Sequence, residues 1–183
     1  LQESGVSSTV FSGITGEPTD IMVENGTALY RECGADFIIG FGGGSQLDAA
    51  KAIGILASNP GSISDCCGKP IHAPLPPVVA IPTTSGTGSE ATDVRIITDT
   101  ANDVKMLIKN RLLMPDIAVV DPIYGISGNY QRVLSECADV SQRISQRVFS
   151  YVCRSQYSKS VCHVLLTFGF IYVKIAGYGL FIL

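Results

Sequence analysis

Histidine is almost missing from these 183 residues: His72 and His163 are the only two, and neither has a His, Asp or Glu four positions on. A Lewis-acid centre takes three or four protein donors, so two isolated imidazoles exclude a site built on paired histidines, and both read as bystanders. Cysteine occurs six times (Cys33, Cys66, Cys67, Cys137, Cys153, Cys162), but never as a CxxC pair and without regular spacing. In a chain of this length that pattern speaks against a disulfide framework and for reduced thiols in a cytosolic or organellar protein. No basic stripe with interleaved aromatics runs through the acidic first two thirds, which removes nucleic acid as a partner there. The stretch from Leu1 to Ser8 has neither a basic nor an apolar run, so it carries no secretory signal. Its start on leucine rather than methionine suggests a fragment.

What is present is 46% hydrophobic and 16% charged, enough for one core and outside the disordered range. One domain with an appendage is expected. The net charge of -3 hides a division: residues 1–122 carry seven Lys or Arg against fourteen Asp or Glu, and residues 123–183 carry six against two. Up to Pro122 short β-rich runs alternate with helical stretches, the rhythm of a parallel sheet with crossovers. Strands are predicted at Thr9 to Ile14, Phe37 to Phe41, Val78 to Ile81, Val94 to Thr98 and Ile117 to Val120. Helices are predicted at Asp20 to Cys33, entered behind Pro18, and at Ala49 to Ala57. Asn59 to Pro77, rich in Pro, Gly and Ser, reads as a loop. Beyond Pro122 the rhythm stops: Gln131 to Tyr157 is polar, and Val164 to Leu183 is almost wholly apolar apart from Lys174 and three glycines.

Chemistry concentrates in two loops. Phe37-Ile-Ile-Gly-Phe-Gly-Gly-Gly-Ser-Gln-Leu-Asp-Ala-Ala-Lys51 runs from a buried strand through three glycines into a helix. Without a Cβ at Gly42, Gly43 and Gly44 a pyrophosphate can approach the backbone, and the helix start offers unpaired N–H groups and a positive dipole end. The competing structural reading makes Ser45 the helix cap and Asp48 the third residue of a capping box. The spacing is not the GxGxxG of the usual dinucleotide fingerprint. The second loop, Val78-Val-Ala-Ile-Pro-Thr-Thr-Ser-Gly-Thr-Gly-Ser-Glu-Ala-Thr92, sets hydroxyls and glycines after another buried strand. Ile96-Ile-Thr-Asp99 and Pro115-Asp-Ile-Ala-Val-Val-Asp-Pro122 follow it.

In this order the four motifs closely resemble the iron-containing alcohol dehydrogenase family, with its GGGSxxDxAK, PTTSGTGSE, ITD and PDxAxxDP segments. The resemblance runs from about Thr9 to Pro122. It implies an α/β fold: an incomplete parallel-sheet dinucleotide-binding domain of the iron-dependent alcohol dehydrogenase and dehydroquinate synthase type, over residues 1–122. It further implies hydride transfer between a primary or secondary alcohol and NAD or NADP, assisted by Fe2+ or Zn2+ held in a separate helical domain. Carried over by position, Gly43, Gly44 and Ser45 would contact the pyrophosphate. Thr84, Ser85 and Thr87 would line the cofactor groove, and Lys105 would reach the cofactor, its competing reading being an ordinary surface lysine. The partner implied is a small alcohol or aldehyde, with room for a homo-oligomer. A glycerol dehydrogenase or dehydroquinate synthase relative shares the fold, but the full loop from Pro82 to Glu90 favours the alcohol dehydrogenase branch.

The sequence departs from that pattern at both ends. The family's first strand and helix, with the acidic residue that selects NAD over NADP, would precede Leu1. After Asp121-Pro122 the family continues with a segment supplying an Asp and a His to the metal, then two further histidines; here Ile123-Tyr-Gly-Ile-Ser-Gly-Asn-Tyr130 follows instead. No metal ligand and no catalytic residue is therefore assigned, residues 123–183 are expected to be an atypical tail, and the chain is expected to be an inactive fragment of a cytoplasmic or mitochondrial enzyme. The alternatives are a non-catalytic nucleotide-binding or interaction module and, for Val164 to Leu183, a membrane anchor with Arg132, Arg143, Arg147, Arg154 and Lys159 on the cytoplasmic side.

Overall fold

A computed structural model describes residues 5–84, 86–121, 124, 150–153 and 179–182. The expectations for His163 and Ser85, and for most of the two tail segments, lie outside them. The first helix, α1 (Asp20–Cys33), has the predicted bounds. The Thr19 side chain caps it by accepting from the Met22 N–H at 3.3 Å, and Gly34 ends it at φ 62°, a left-handed position that glycine takes without a Cβ penalty. Its buried face is Val23, Gly26, Thr27 and Tyr30, the three-and-four spacing of one helical stripe.

The second helix, α2 (Gly44–Ser58), starts five residues before the predicted Ala49 and is buried almost all round, from Leu47 to Leu56. Its small residues make that possible. A Cβ on Gly26 of α1 would come within 2.4 Å of Ile53 Cδ1, and one on Gly40 within 2.9 Å of the Ala50 Cβ. The helix is thus clasped between α1 on one side and the sheet on the other, and the Arg31 guanidinium donates to the Leu56 carbonyl across the first contact.

The main sheet is parallel throughout, in the order β1, β8, β2, β3, β6, β7. Its strands are β1 (Ser7–Val10), β2 (Phe37–Gly42), β3 (Val78–Pro82), β6 (Ile117–Val120), β7 (Ser150–Cys153) and β8 (Gly179–Ile182). Asp116 locks β3 to β6: its carboxylate accepts from the Val78 N–H at 2.8 Å while its own N–H donates to the Val78 carbonyl at 2.8 Å. Three expectations need correction. β1 lies two residues earlier than predicted and stops at Val10, because the run to Ile14 leaves the sheet and carries the Ile14 carbonyl to Gln46. β4 (Val94–Asp99) is not part of the parallel sheet; it pairs antiparallel with β5 (Val104–Lys109), a strand the sequence reading missed. β7 and β8 come from beyond Pro122, where no strand was predicted, β8 entering between β1 and β2. Patterning could not reveal them, since two four-residue strands hold too few periods to stand out from an irregular background.

The β4–β5 hairpin packs on α2, turning Arg95, Ile97 and Asp99 inward and Ile96 outward. It is tied to the start of α1, where the Thr98 N–H donates to the Pro18 carbonyl at 2.9 Å and the Thr100 N–H to the Asp20 carboxylate at 3.3 Å. The loop from Asn59 to Pro77 is pinned by Asn59, whose amide donates to the His72 carbonyl at 3.2 Å and accepts from the His72 N–H at 2.8 Å. The His72 side chain remains exposed. Cys33, Cys66 and Cys67 are free thiols.

Arg95 breaks the rules of this core. It is fully buried, and Nε, Nη1 and Nη2 all lack a hydrogen-bond partner. Burial pulls its pKa down to about 10, against the fields of Cys66, Asp48 and Cys67. A buried cation without a bonded partner costs several kcal/mol, more than a hydrophobic side chain of similar volume. Arg95→Met should therefore raise the stability of the chain by about 1–4 kcal/mol in urea unfolding. A lower midpoint in the variant would mean that the guanidinium is satisfied after all.

Candidate functional site

The glycine turn and the hydroxyl loop meet at the start of α2. β2 delivers Gly42 at φ 154°, outside the range that side-chain-bearing residues adopt readily, and Gly43 then caps the helix. Helix geometry leaves the first N–H groups of α2, those of Gly44 and Ser45 among them, without carbonyl partners inside the helix. The Ser45 capping box does not form. Gly43 is the cap, and its N–H is held by the Gln46 side-chain oxygen at 3.0 Å, with the Gln46 amide donating to the Ile14 carbonyl at 3.1 Å. Sequence favoured serine as the better cap; the extended conformation of Gly43 places the cap two residues earlier.

The second loop lies against this turn. A Cβ on Gly43 would meet Thr84 Oγ1 at 3.1 Å, and one on Gly44 would meet Thr87 Cγ2 at 2.9 Å. The Thr83 N–H donates to the Gly42 carbonyl at 2.8 Å, stitching the two loops together at the ends of β2 and β3. Of the residues singled out from sequence, Gly43, Gly44, Ser45, Thr84 and Thr87 come together here; Ser85 lies outside the described residues. Lys105 stands on β5, opposite Thr98, and its ammonium pairs with Glu17 at 2.6 Å, both side chains at least half exposed. That contact makes Lys105 a surface residue in this structure.

Asp48 and Lys51, which sequence reasoning placed on the helix without a role at the site, tie it to its surroundings. Asp48 accepts from the Ser89 hydroxyl and, at 2.9 Å, from the Ile96 N–H. Lys51 is buried beside it, 3.6 Å from its carboxylate. Glu90, in the 3-10 turn Ser89–Ala91, is also buried with one carboxylate oxygen unpartnered, and burial raises its pKa. An i, i+3 acid and base on a helix was the only available signal, and on most helices it marks a solvated pair.

A strand, a glycine turn, a helix start and a hydroxyl loop in contact with it form a cradle whose free helix N–H groups can meet an anion. The model of iron-containing alcohol dehydrogenase matches residues 1–122. The chain belongs to the iron-containing alcohol dehydrogenase family. It is 41% identical over 123 residues to the NAD-dependent methanol dehydrogenase of Bacillus methanolicus, covering 67% of this chain and 32% of that protein. With the human mitochondrial hydroxyacid-oxoacid transhydrogenase it shares 32% identity over 169 residues, 88% of this chain and 36% of that one. The sulfoacetaldehyde reductase of Bifidobacterium kashiwanohense, solved in complex with NAD+, superposes with a TM-score of 0.63 at 32% identity, over 72% of this chain and 35% of that one. The chain thus spans about one third of the length of these relatives.

Gly42 tests the geometry of the turn independently of any ligand. A Cβ there would sit 2.7 Å from Gln46 Cγ as well as strain the backbone. Gly42→Ala should lower stability by about 1–3 kcal/mol, measured by urea unfolding. An unchanged midpoint would show that the turn relaxes to an ordinary conformation.

Proposed function

We propose that this chain is the nucleotide-binding portion of an oxidoreductase that moves a hydride between a small primary or secondary alcohol and NAD(P), with residues 1–122 as the cofactor domain and 123–183 as an atypical tail that adds β7 and β8 to its sheet. One observation carries the reading: Gly43 and Gly44, at the start of a buried 15-residue helix, lie directly against Thr84 and Thr87 of the second motif. The pyrophosphate would rest on the N–H groups of Gly44 and Ser45, where the helix end favours negative charge. The Gln46 side chain would yield the Gly43 N–H to it. Thr84, Ser85 and Thr87 would supply hydroxyls along the same groove, and Lys105 a further contact on exchanging Glu17 for the cofactor. NAD fits the family and the relatives that carry it by name; NADP is the alternative. Bound nicotinamide would supply the hydride acceptor, and these residues would orient it and hold its phosphates.

The metal of the family does not fit. Among the described residues no group of three or more His, Cys, Asp or Glu stands together to hold an ion, and the whole sequence has two histidines. No Fe2+ or Zn2+ ligand is assigned, and no step is routed through one. This favours a second reading for the 183-residue chain, a nucleotide-binding module without turnover. No helix among the described residues is long and apolar enough to cross a membrane. We place the chain in the cytoplasm, with mitochondria as the alternative.

Titration calorimetry with NAD on wild type and on Gly44→Val tests the site. The variant should lose binding, because its side chain displaces Thr87 and covers the helix start; Thr84→Val, which removes one hydroxyl, should weaken binding less. Equal affinities in all three proteins would refute the assignment. For turnover, NADH formation from ethanol, 1,2-propanediol and 1,3-propanediol with added ferrous iron or zinc should stay at the chelator-treated background. A lost Lewis acid worth roughly 5 kcal/mol removes more than about a thousandfold in rate. Metal-dependent turnover by this polypeptide would reveal ligands that the sequence hides.

A further inference from the structure

Lys51 closes the glycine-turn motif in sequence, yet its side chain serves the other loop. It donates to Ser89 Oγ at 3.0 Å, Thr92 Oγ1 at 3.2 Å and the Val94 carbonyl at 2.9 Å. An ammonium has three N–H donors, and these three acceptors use them all. The side chain is completely shielded from solvent, so it cannot touch a ligand itself. Its contacts nevertheless form a closed ring. From Lys51 they pass to Ser89, whose N–H donates to Thr87 Oγ1 at 3.4 Å, then from Thr87 to Gly44, and back along α2 to Lys51, roughly 10 Å of helix axis.

We propose that Lys51 is a positioning residue for nucleotide binding: anchored on the phosphate-binding helix, its ammonium holds the hydroxyl loop at the distance from Gly43 and Gly44 that the ligand requires. This rests on the nucleotide reading above. The charged groups facing it are Asp48 on the same helix, Glu90 in the 3-10 turn and Asp93 at the entry to β4. The buried cation on the hairpin itself is Arg95. Three hydrogen bonds and these carboxylates give the ammonium the partners that the Arg95 guanidinium lacks. Burial nonetheless lowers its pKa to about 8, Asp48 opposing the shift.

That shift fixes the sign of a pH signature. The folded site binds the proton less tightly than the unfolded chain, where an ordinary lysine holds it to about 10.4. Below about 8 the ammonium is charged in both states and its burial cost is fully present. Between about 8 and 10.4 only the unfolded chain keeps the proton, so the folding constant gains up to about tenfold per pH unit.

The test compares the full chain with Lys51→Met. Amide exchange should quicken at residues 83–97 while β2, β3 and β6 stay protected; acceleration everywhere, or nowhere, would overturn the proposal. NADH affinity, followed by fluorescence, should fall at least about tenfold. The double variant Lys51→Met/Thr87→Val should lose little beyond Lys51→Met alone, because one residue acts through the other, and additive losses would overturn it. The stability of wild type relative to Lys51→Met should rise from pH 8 to 9.5, and a flat difference would overturn the buried ammonium as the strut. If wild type binds no NADH, the nucleotide reading fails, and local exchange still decides whether Lys51 holds the loop.

Discussion

Everything at the candidate site depends on how closely α2 lies against its neighbours. Gly26 and Gly40 remove the side chains that would hold the helix away from α1 and from β2, and the alanines of α2 fill the narrow space that remains. Close approach brings the first turn of the helix level with the end of β3, so that Thr84 and Thr87 can rest on Gly43 and Gly44. One added methyl group at these contacts would push apart two motifs that lie some forty residues apart in the chain. The cradle is therefore a packing result before it is an electrostatic one.

Close packing also accounts for the charges inside. A helix buried on every side has no solvated face on which to carry its polar residues, so Asp48 and Lys51 must find partners within the fold. They find them on the second motif and on β4: Ser89, Thr92, Val94 and Ile96. Arg95 and Glu90 show the cost of the same crowding where hydrogen bonds are missing. The polar network between α2 and the hairpin joins the helix of the glycine turn to the hydroxyl loop.

Much of this was legible in the sequence, for local reasons. α1 was readable to the residue because Pro18, Thr19 and Gly34 are chemical stop and start signals and its apolar stripe repeats over several turns. β2, β3 and β6 were readable because short apolar runs ended by glycine, proline or aspartate have few other structures open to them. The antiparallel pairing of β4 with β5 was not, since the exposed apolar Val104 and Leu107 break the alternation that Lys105, Met106, Ile108 and Lys109 follow. Nor was the place of β8 between β1 and β2. Which strand fills a gap in a parallel sheet is decided by backbone hydrogen bonding between distant segments, and hydropathy does not encode it.

For the site, the amino-acid sequence by itself determined the residue types and their order: glycines that permit an approach, hydroxyls that can accept and donate, and the family to which that order belongs. Only the tertiary structure decided which of them meet. It brought Thr84 and Thr87 onto the glycine turn, paired Lys105 with Glu17, gave the cap to Gly43, and turned Lys51 from the last letter of a motif into a strut beneath its neighbour. The physical reason is that propensity and periodicity are properties of a few adjacent residues. A contact between α2 and a loop some forty residues later is set by which small side chains let two surfaces close.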